Sequence, residues 1–215
     1  METTLLKSWE NLLIKSGFVF EIGKSEIKLE METEDNVKYL MKILQTVGVA
    51  FEITGYQSLR IKEIVDEDTW FNAIEQLHTG AEGGPHDDIK IMDTYMAGIV
   101  RRVNEIGLRT DFSCDGHGTR RPRLSFYNKS DAIIFDCCLQ LLSNQEWSYK
   151  SNYEICRNQR NALRHIRDPR TRSIIERDFS REWLLDIAEA LYTHKAALQR
   201  VVEASKRIDV ATHTF

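Results

Sequence analysis

From Cys114 to Arg123 the chain reads Cys-Asp-Gly-His-Gly-Thr-Arg-Arg-Pro-Arg. A thiol, a carboxylate, an imidazole and three guanidinium groups fall within one short stretch. Gly116 and Gly118 let the backbone turn tightly and bring its N–H groups to a ligand. Three chemistries fit these residues. As an anion cradle, Ser113, the amides of Gly116 and Gly118, and Arg120, Arg121 and Arg123 hold a phosphate-bearing ligand, with His117 as general acid/base because imidazole titrates near neutral pH. As a metal site, Cys114, Asp115 and His117 supply up to three donors to zinc, with His86 or Asp87 as further ones. As a nucleophile site, Cys114 is a thiolate favoured by neighbouring arginines and His117. The plain alternative is a glycine turn with solvated charges.

A second basic stretch follows. Arg157, Arg160, Arg164 and Arg167 recur at a spacing that puts them on one helical face, which reads either as a phosphate track or as a solvated, acid-paired face.

The elements that must position these residues read as one unit used twice. Residues 18–22 and 26–31 alternate as strands do, and 34–47 places Val37, Leu40, Met41, Leu44 and Val47 on one helical face that Gly48 ends. Strands at 50–54 and 59–64 flank Gly55-Tyr56-Gln57, and a helix over 68–77 closes the unit. The order then recurs. Residues 86–106 carry Ile89, Met92, Met96, Ile99, Val103 and Ile106 at heptad-like spacing, which predicts a long helix. Strands follow at 108–113 and 123–127, then a helix over 130–142 capped by Ser130 or Asn128, strands at 147–150 and 153–157, and a helix over 161–166. At an offset near 95, Lys28-Leu29 matches Arg123-Leu124, Phe51 and Ile53 match Trp147 and Tyr149, and Leu59 matches Ile155.

The expected fold class is therefore α+β. Two tandem helix–hairpin–helix–hairpin units pack their antiparallel strands about a pseudo-twofold, and a long C-terminal helix follows over 180–207. The expected domains are 1–80, 86–167 and 168–215, with Ala81–Pro85 as hinge. Cys137 and Cys138 read as core or near-core positions, and His194 as a packing position of the last helix. Only Gly23-Lys24-Ser25 joins the first two strands of the first unit, so the longer loop at 114–122 is not needed to close its hairpin. Extra loop length on a rigid scaffold is where function concentrates.

Thr110-Asp111-Phe112-Ser113-Cys114-Asp115-Gly116 resembles a motif T-x-x-S-C-x-G. That motif marks the tRNA wybutosine-synthesis methyltransferase family, and small bacterial and phage proteins with S-C-x-G-H-G are also similar. The resemblance covers roughly residues 88–127. It implies S-adenosylmethionine-dependent methylation of a modified guanosine in tRNA, with Ser113, Cys114 and Gly116 matching the motif. The family usually has arginine where this chain has His117. A duplicated helix–hairpin unit is also found in LAGLIDADG homing endonucleases. Their acidic residue ends a packed helix, whereas here Gly107 ends the helix and strand residues precede Asp115, which excludes a nuclease of that type.

Charge is uneven. Of 215 residues with net charge −4, residues 1–100 carry 9 Lys+Arg against 18 Asp+Glu, and residues 101–181 carry 16 against 10. Fourteen of the 17 arginines lie in that middle block. This points to an anionic partner, or to pairing with the acidic first half. The composition is that of a globular chain, with no apolar run long enough for a membrane span and no signal-type start. The four cysteines lack CxxC spacing, so free thiols in a reducing, cytoplasmic compartment are expected.

Three functional readings follow. The chain binds a nucleotide or RNA, as a processing enzyme; or it is a zinc-dependent hydrolase; or it is a non-enzymatic interaction module that self-associates through 86–106 and 180–207. The first makes a testable statement about salt. Binding to single-stranded RNA should weaken with log salt at a slope of about −0.7 per contacted phosphate. Alanine at Arg120, Arg121 and Arg123 should flatten that slope for every sequence alike. An unchanged slope in a filter-binding series would remove these arginines from the interface.

Overall fold

The computed structural model describes residues 2–79, 88–117, 122–142, 147–149, 154–157 and 184–212. The fold is α+β and divides into two compact units, Met1–Gly98 and Ile99–Phe215.

The first unit begins with α1 (Glu2–Ser16), whose apolar face buries Trp9, Leu12 and Leu13. Short strands β1 (Glu21–Ile22) and β2 (Ile27–Lys28) follow, then α2 (Glu34–Thr46), β3 (Phe51–Gly55), β4 (Ser58–Ile61) and α3 (Glu67–Leu77). The strands form one antiparallel sheet in the order β1-β2-β4-β3. α2 and α3 each start on a side-chain cap: Thr33 accepts from the Asn36 N–H, and Asp66 accepts from the Thr69 N–H. The Thr69 bonds hold the Asp66 carboxyl below its ordinary 3.8. The cap is therefore complete above the usual carboxylate range and is lost as pH falls through that lowered value.

Two tryptophans organise this core. Trp9 and Trp70 meet edge to face at 5.2 Å. The Trp70 indole N–H donates to Ser16 Oγ at 2.7 Å, and that of Trp9 to the Glu63 carbonyl at 2.8 Å. Each ring is buried with its polar handle satisfied, as an indole requires. Lys15, itself buried, reaches Glu67 at 2.7 Å and ties α1 to α3.

The second unit contains most of α4 (Ala97–Glu105), then β5 (Thr110–Cys114), β6 (Arg123–Phe126), α5 (Lys129–Leu141), β7 (Trp147–Tyr149) and β8 (Glu154–Arg157). Residues 184–193 form α6, and α7 is Lys195–Thr212. The sheet order is β5-β6-β8-β7, again antiparallel throughout. Asn128, one of the two expected caps, starts α5 by accepting from the Asp131 N–H at 2.7 Å. α5 packs on β6, β7 and β8, burying Ala132, Phe135 and Leu139.

Several expectations need correction. The helix expected over 86–106 is only α4. Residues 89–96 are turns and a bend, because the Asp88 carbonyl accepts from Ile91 N–H and the Asp93 carbonyl from Met96 and Ala97 N–H. The seam residues Ile89, Met92, Met96, Ile99, Val103 and Ile106 are all buried nonetheless. Successive turns can aim apolar side chains inward at the same spacing as a helix. The last helix is interrupted at His194, whose carbonyl accepts from both Ala197 and Leu198 N–H, and its second half buries Val202 rather than Val201.

The strand match at Lys28-Leu29 shifts by two residues. Ile27 pairs with Leu59 and Leu124 with Ile155, so Leu124 stands where Ile27 does. In the first sheet Phe51 pairs with Ile61 and Ile53 with Leu59; in the second Trp147 pairs with Arg157 and Tyr149 with Ile155. The hinge at 81–85 and the helix expected over 161–166 lie outside the described residues.

Cys137 is exposed on α5, not in the core, whereas Cys138 is buried and its thiol is pushed up to about 11 by burial. Brief alkylation at pH 8 followed by peptide mapping should therefore modify Cys137 and spare Cys138. Equal modification would mean that α5 does not hold this face against the sheet.

Candidate metal centre in the β5–β6 loop

The site is built on a strand pair. Cys114, the last residue of β5, pairs with Arg123, the first of β6; Ser113 pairs with Leu124, and Phe112 with Ser125. Directly opposed residues in an antiparallel pair share a face, and faces alternate along a strand. Leu124 and Phe126 are buried and define the core face. Phe112, Cys114, Arg123 and Ser125 therefore belong to the opposite face. A register irregularity between Thr110 and Phe112 lets Thr110 join the core face against Phe126.

Beyond Cys114 the chain folds back on itself. Gly116 has φ 83° and His117 φ 46°, both left-handed. Glycine adopts this region without cost, and histidine is among the side chains that visit it more often than most. The polar groups of the loop hold this shape. The Gly116 N–H donates to Cys114 Sγ at 3.3 Å, and the His117 N–H donates to Asp115 Oδ1 at 2.8 Å. The imidazole Nδ1 also lies 3.3 Å from Asp115 Oδ1.

The turn thus gathers the three donors named from the sequence. Cys114, Asp115 and His117 each present a ligand atom, and these atoms lie within 4.8 Å of one another. Tetrahedral zinc with bonds near 2.0–2.3 Å would set its donors about 3.3–3.8 Å apart. A contraction of roughly an ångström would close the widest of these gaps. Asp115 is mostly covered, its side chain 17% exposed, while the imidazole is 68% exposed. The donor set is mixed: a soft thiolate, an imidazole and a carboxylate, the combination that suits zinc among the common divalent ions.

Arg123 lies across the strand pair from Cys114, with its guanidinium carbon 5.9 Å from the centre of the Phe112 ring. Phe112 is a large apolar side chain left 50% exposed on this face. The sequence reading did not single it out. Its place on the outward face of a strand, two residues before Cys114, is the signal that was available.

The remaining expected site residues divide simply. Ser113 sits on the core-facing register of β5, half-buried, opposite Leu124. Gly118, Arg120 and Arg121 lie outside the described residues, as do His86, Asp87, Arg160, Arg164 and Arg167. Arg157 is the last residue of β8, paired with Trp147, so it belongs to a strand, not to a helical face.

No helix among the described residues is long and apolar enough to cross a membrane. Comparison of the chain with known protein families, with curated proteins and with solved structures gives no match in any of the three.

Proposed function

We propose that the β5–β6 loop is a metal centre, with Cys114, Asp115 and His117 holding zinc, and that the protein uses it to hydrolyse a phosphate-bearing substrate. The convergence of three chemically suited donors on one tight turn carries this reading. Zinc held by three protein ligands keeps a further position open for water or substrate and polarises what binds there. The fixed αL turn at Gly116 and His117 supplies rigidity, and Arg123 on the adjoining strand end supplies a planar cation for phosphate oxygens. The arginine-rich composition of residues 101–181 supports an anionic substrate. Duplication of a helix–hairpin unit belongs to the same proposal, and the shared strand order of the two sheets supports it.

A second reading has its own observation. The Asp115 carboxylate stands beside His117 Nδ1, the arrangement that orients an imidazole for general acid/base work without a metal. The two readings differ in the part Asp115 plays, a metal ligand in the first and the group that orients the imidazole in the second.

Metal analysis decides between them. Protein purified without chelator should retain about one zinc per chain, and cobalt substitution should give a thiolate-to-metal absorption band. Cys114→Ser and His117→Ala should each cost more than about 100-fold in affinity, beyond the usual loss for a residue that only supports a ligand. In the metal-free protein neither should move the melting midpoint by more than a few degrees. No zinc or cobalt binding by protein with reduced Cys114 would leave the Asp115–His117 reading. In that case His117→Ala should abolish activity with the fold intact.

The turn itself makes a separate prediction. Gly116→Ala forces a side chain into a left-handed conformation at a cost of about 1 kcal/mol. In a chain this size that lowers the melting midpoint by roughly 2–4 °C. A larger loss of metal affinity than of stability is expected, because the strain falls between two ligands. An unchanged affinity would show that the turn does not position them.

A further inference from the structure

Phe112 is the feature that the metal reading does not absorb. Burial of apolar side chains drives folding, yet this ring stands half exposed on a strand whose other face reaches the core. It lies two residues from Cys114 on the same face, and the Arg123 guanidinium is held over it at 5.9 Å. A stacked aromatic–guanidinium pair offers a flat surface for a planar ring and a charged fork for an anion. A nucleobase carrying a phosphate uses both at once.

We infer that Phe112 and Arg123 form the base-and-phosphate platform of the loop, so that the ligand presented to Cys114, Asp115 and His117 is a nucleoside phosphate. This rests on the metal-centre reading for its chemistry but not for its binding. The base stacks on the pair, and Arg123 holds a phosphate oxygen. Because Arg123 is the strand partner of Cys114, that phosphate lies at the mouth of the loop. Stacking tolerates every base, so the platform selects nucleotides over sugar phosphates without choosing among sequences. The same chemistry is offered by a free nucleotide and by one residue of a single strand.

The test uses the zinc-loaded full chain, titrated with adenosine 5′-monophosphate, ribose 5-phosphate, adenosine and a short oligoadenylate. Adenosine monophosphate should bind more tightly than either fragment. Phe112→Ala should weaken it about tenfold and leave ribose 5-phosphate unchanged, and Phe112→Tyr should restore it. Arg123→Ala should weaken both phosphates and spare adenosine. Oligoadenylate binding that exceeds the monophosphate and falls with salt would name a single strand as the source. Equal binding would name the free nucleotide, and both results uphold the platform.

Equal affinity for adenosine monophosphate and ribose 5-phosphate, or no effect of Phe112→Ala, would overturn it. Zinc content measured on the same samples separates the two ideas. Nucleotide binding without zinc sinks the metal centre alone, and zinc without nucleotide binding sinks the platform alone.

Discussion

The register of β5 against β6 is the constraint on which the site depends. With Cys114 opposite Arg123 and Ser113 opposite Leu124, Leu124 and Phe126 are buried while Cys114, Phe112 and Arg123 lie on the other face. A slip of one residue would put Cys114 on the same face as Leu124, so that either the thiol turns to the core or Leu124 turns outward. Fully burying a leucine or phenylalanine stabilises by about 1.5–3 kcal/mol each, so the core of the second unit fixes the strand ends from which the loop springs.

That core is anchored from several directions. Arg102 is 1% exposed, bonded to Glu105 and lying 5.3 Å from the centre of the Tyr192 ring. Burial pulls its pKa down, and the Glu105 carboxylate works against that fall. A charge so deeply covered is retained only with a close partner, and removing Glu105 would strip away the carboxylate that opposes the cost of burial. Glu105 also meets Lys195 at 3.4 Å, and its carbonyl accepts from Gln199 at 3.0 Å, which brings α7 against the end of α4. Lys206 reaches both the Gly107 carbonyl and Asp131, and Asp131 accepts from the Arg109 N–H at 3.0 Å. The start of β5, the cap region of α5 and the C-terminal helix are thus tied to one another. This polar lattice holds β5 where β6 can meet it.

The loop works in the opposite direction, spending local freedom on order. Gly116 and His117 are both left-handed, a shape an unconstrained chain rarely holds over two residues. Cys114 and Asp115 stabilise it by accepting the N–H groups that follow them. The residues that could bind a ligand are therefore the residues that make the turn. Preorganisation of this kind lowers the entropy lost when a ligand is taken up.

Much of this was legible in one dimension. The α+β class followed from alternating apolar periods of two and 3.6. The extents of α2 and α5 followed from their apolar faces, with Gly48 after the first and Ser130 or Asn128 as the cap of the second. Cys114, Asp115 and His117 drew notice because three kinds of donor within four residues need no fold to be neighbours.

What the chain could not declare in sequence was decided by packing. The spacing of Ile89, Met92 and Met96 marked buried positions correctly but not a helix, since turns can satisfy the same inward pattern. Cys137 and Cys138 are adjacent and alike in sequence, yet one faces solvent and the other the core, because neighbours on a helix point about 100° apart. Phe112 and Arg123 lie eleven positions apart and meet only because β5 and β6 pair in one register. Composition and spacing determined which groups could do chemistry. The tertiary structure decided which of them share a face, because strand register is set by burial of side chains on the far side of the sheet.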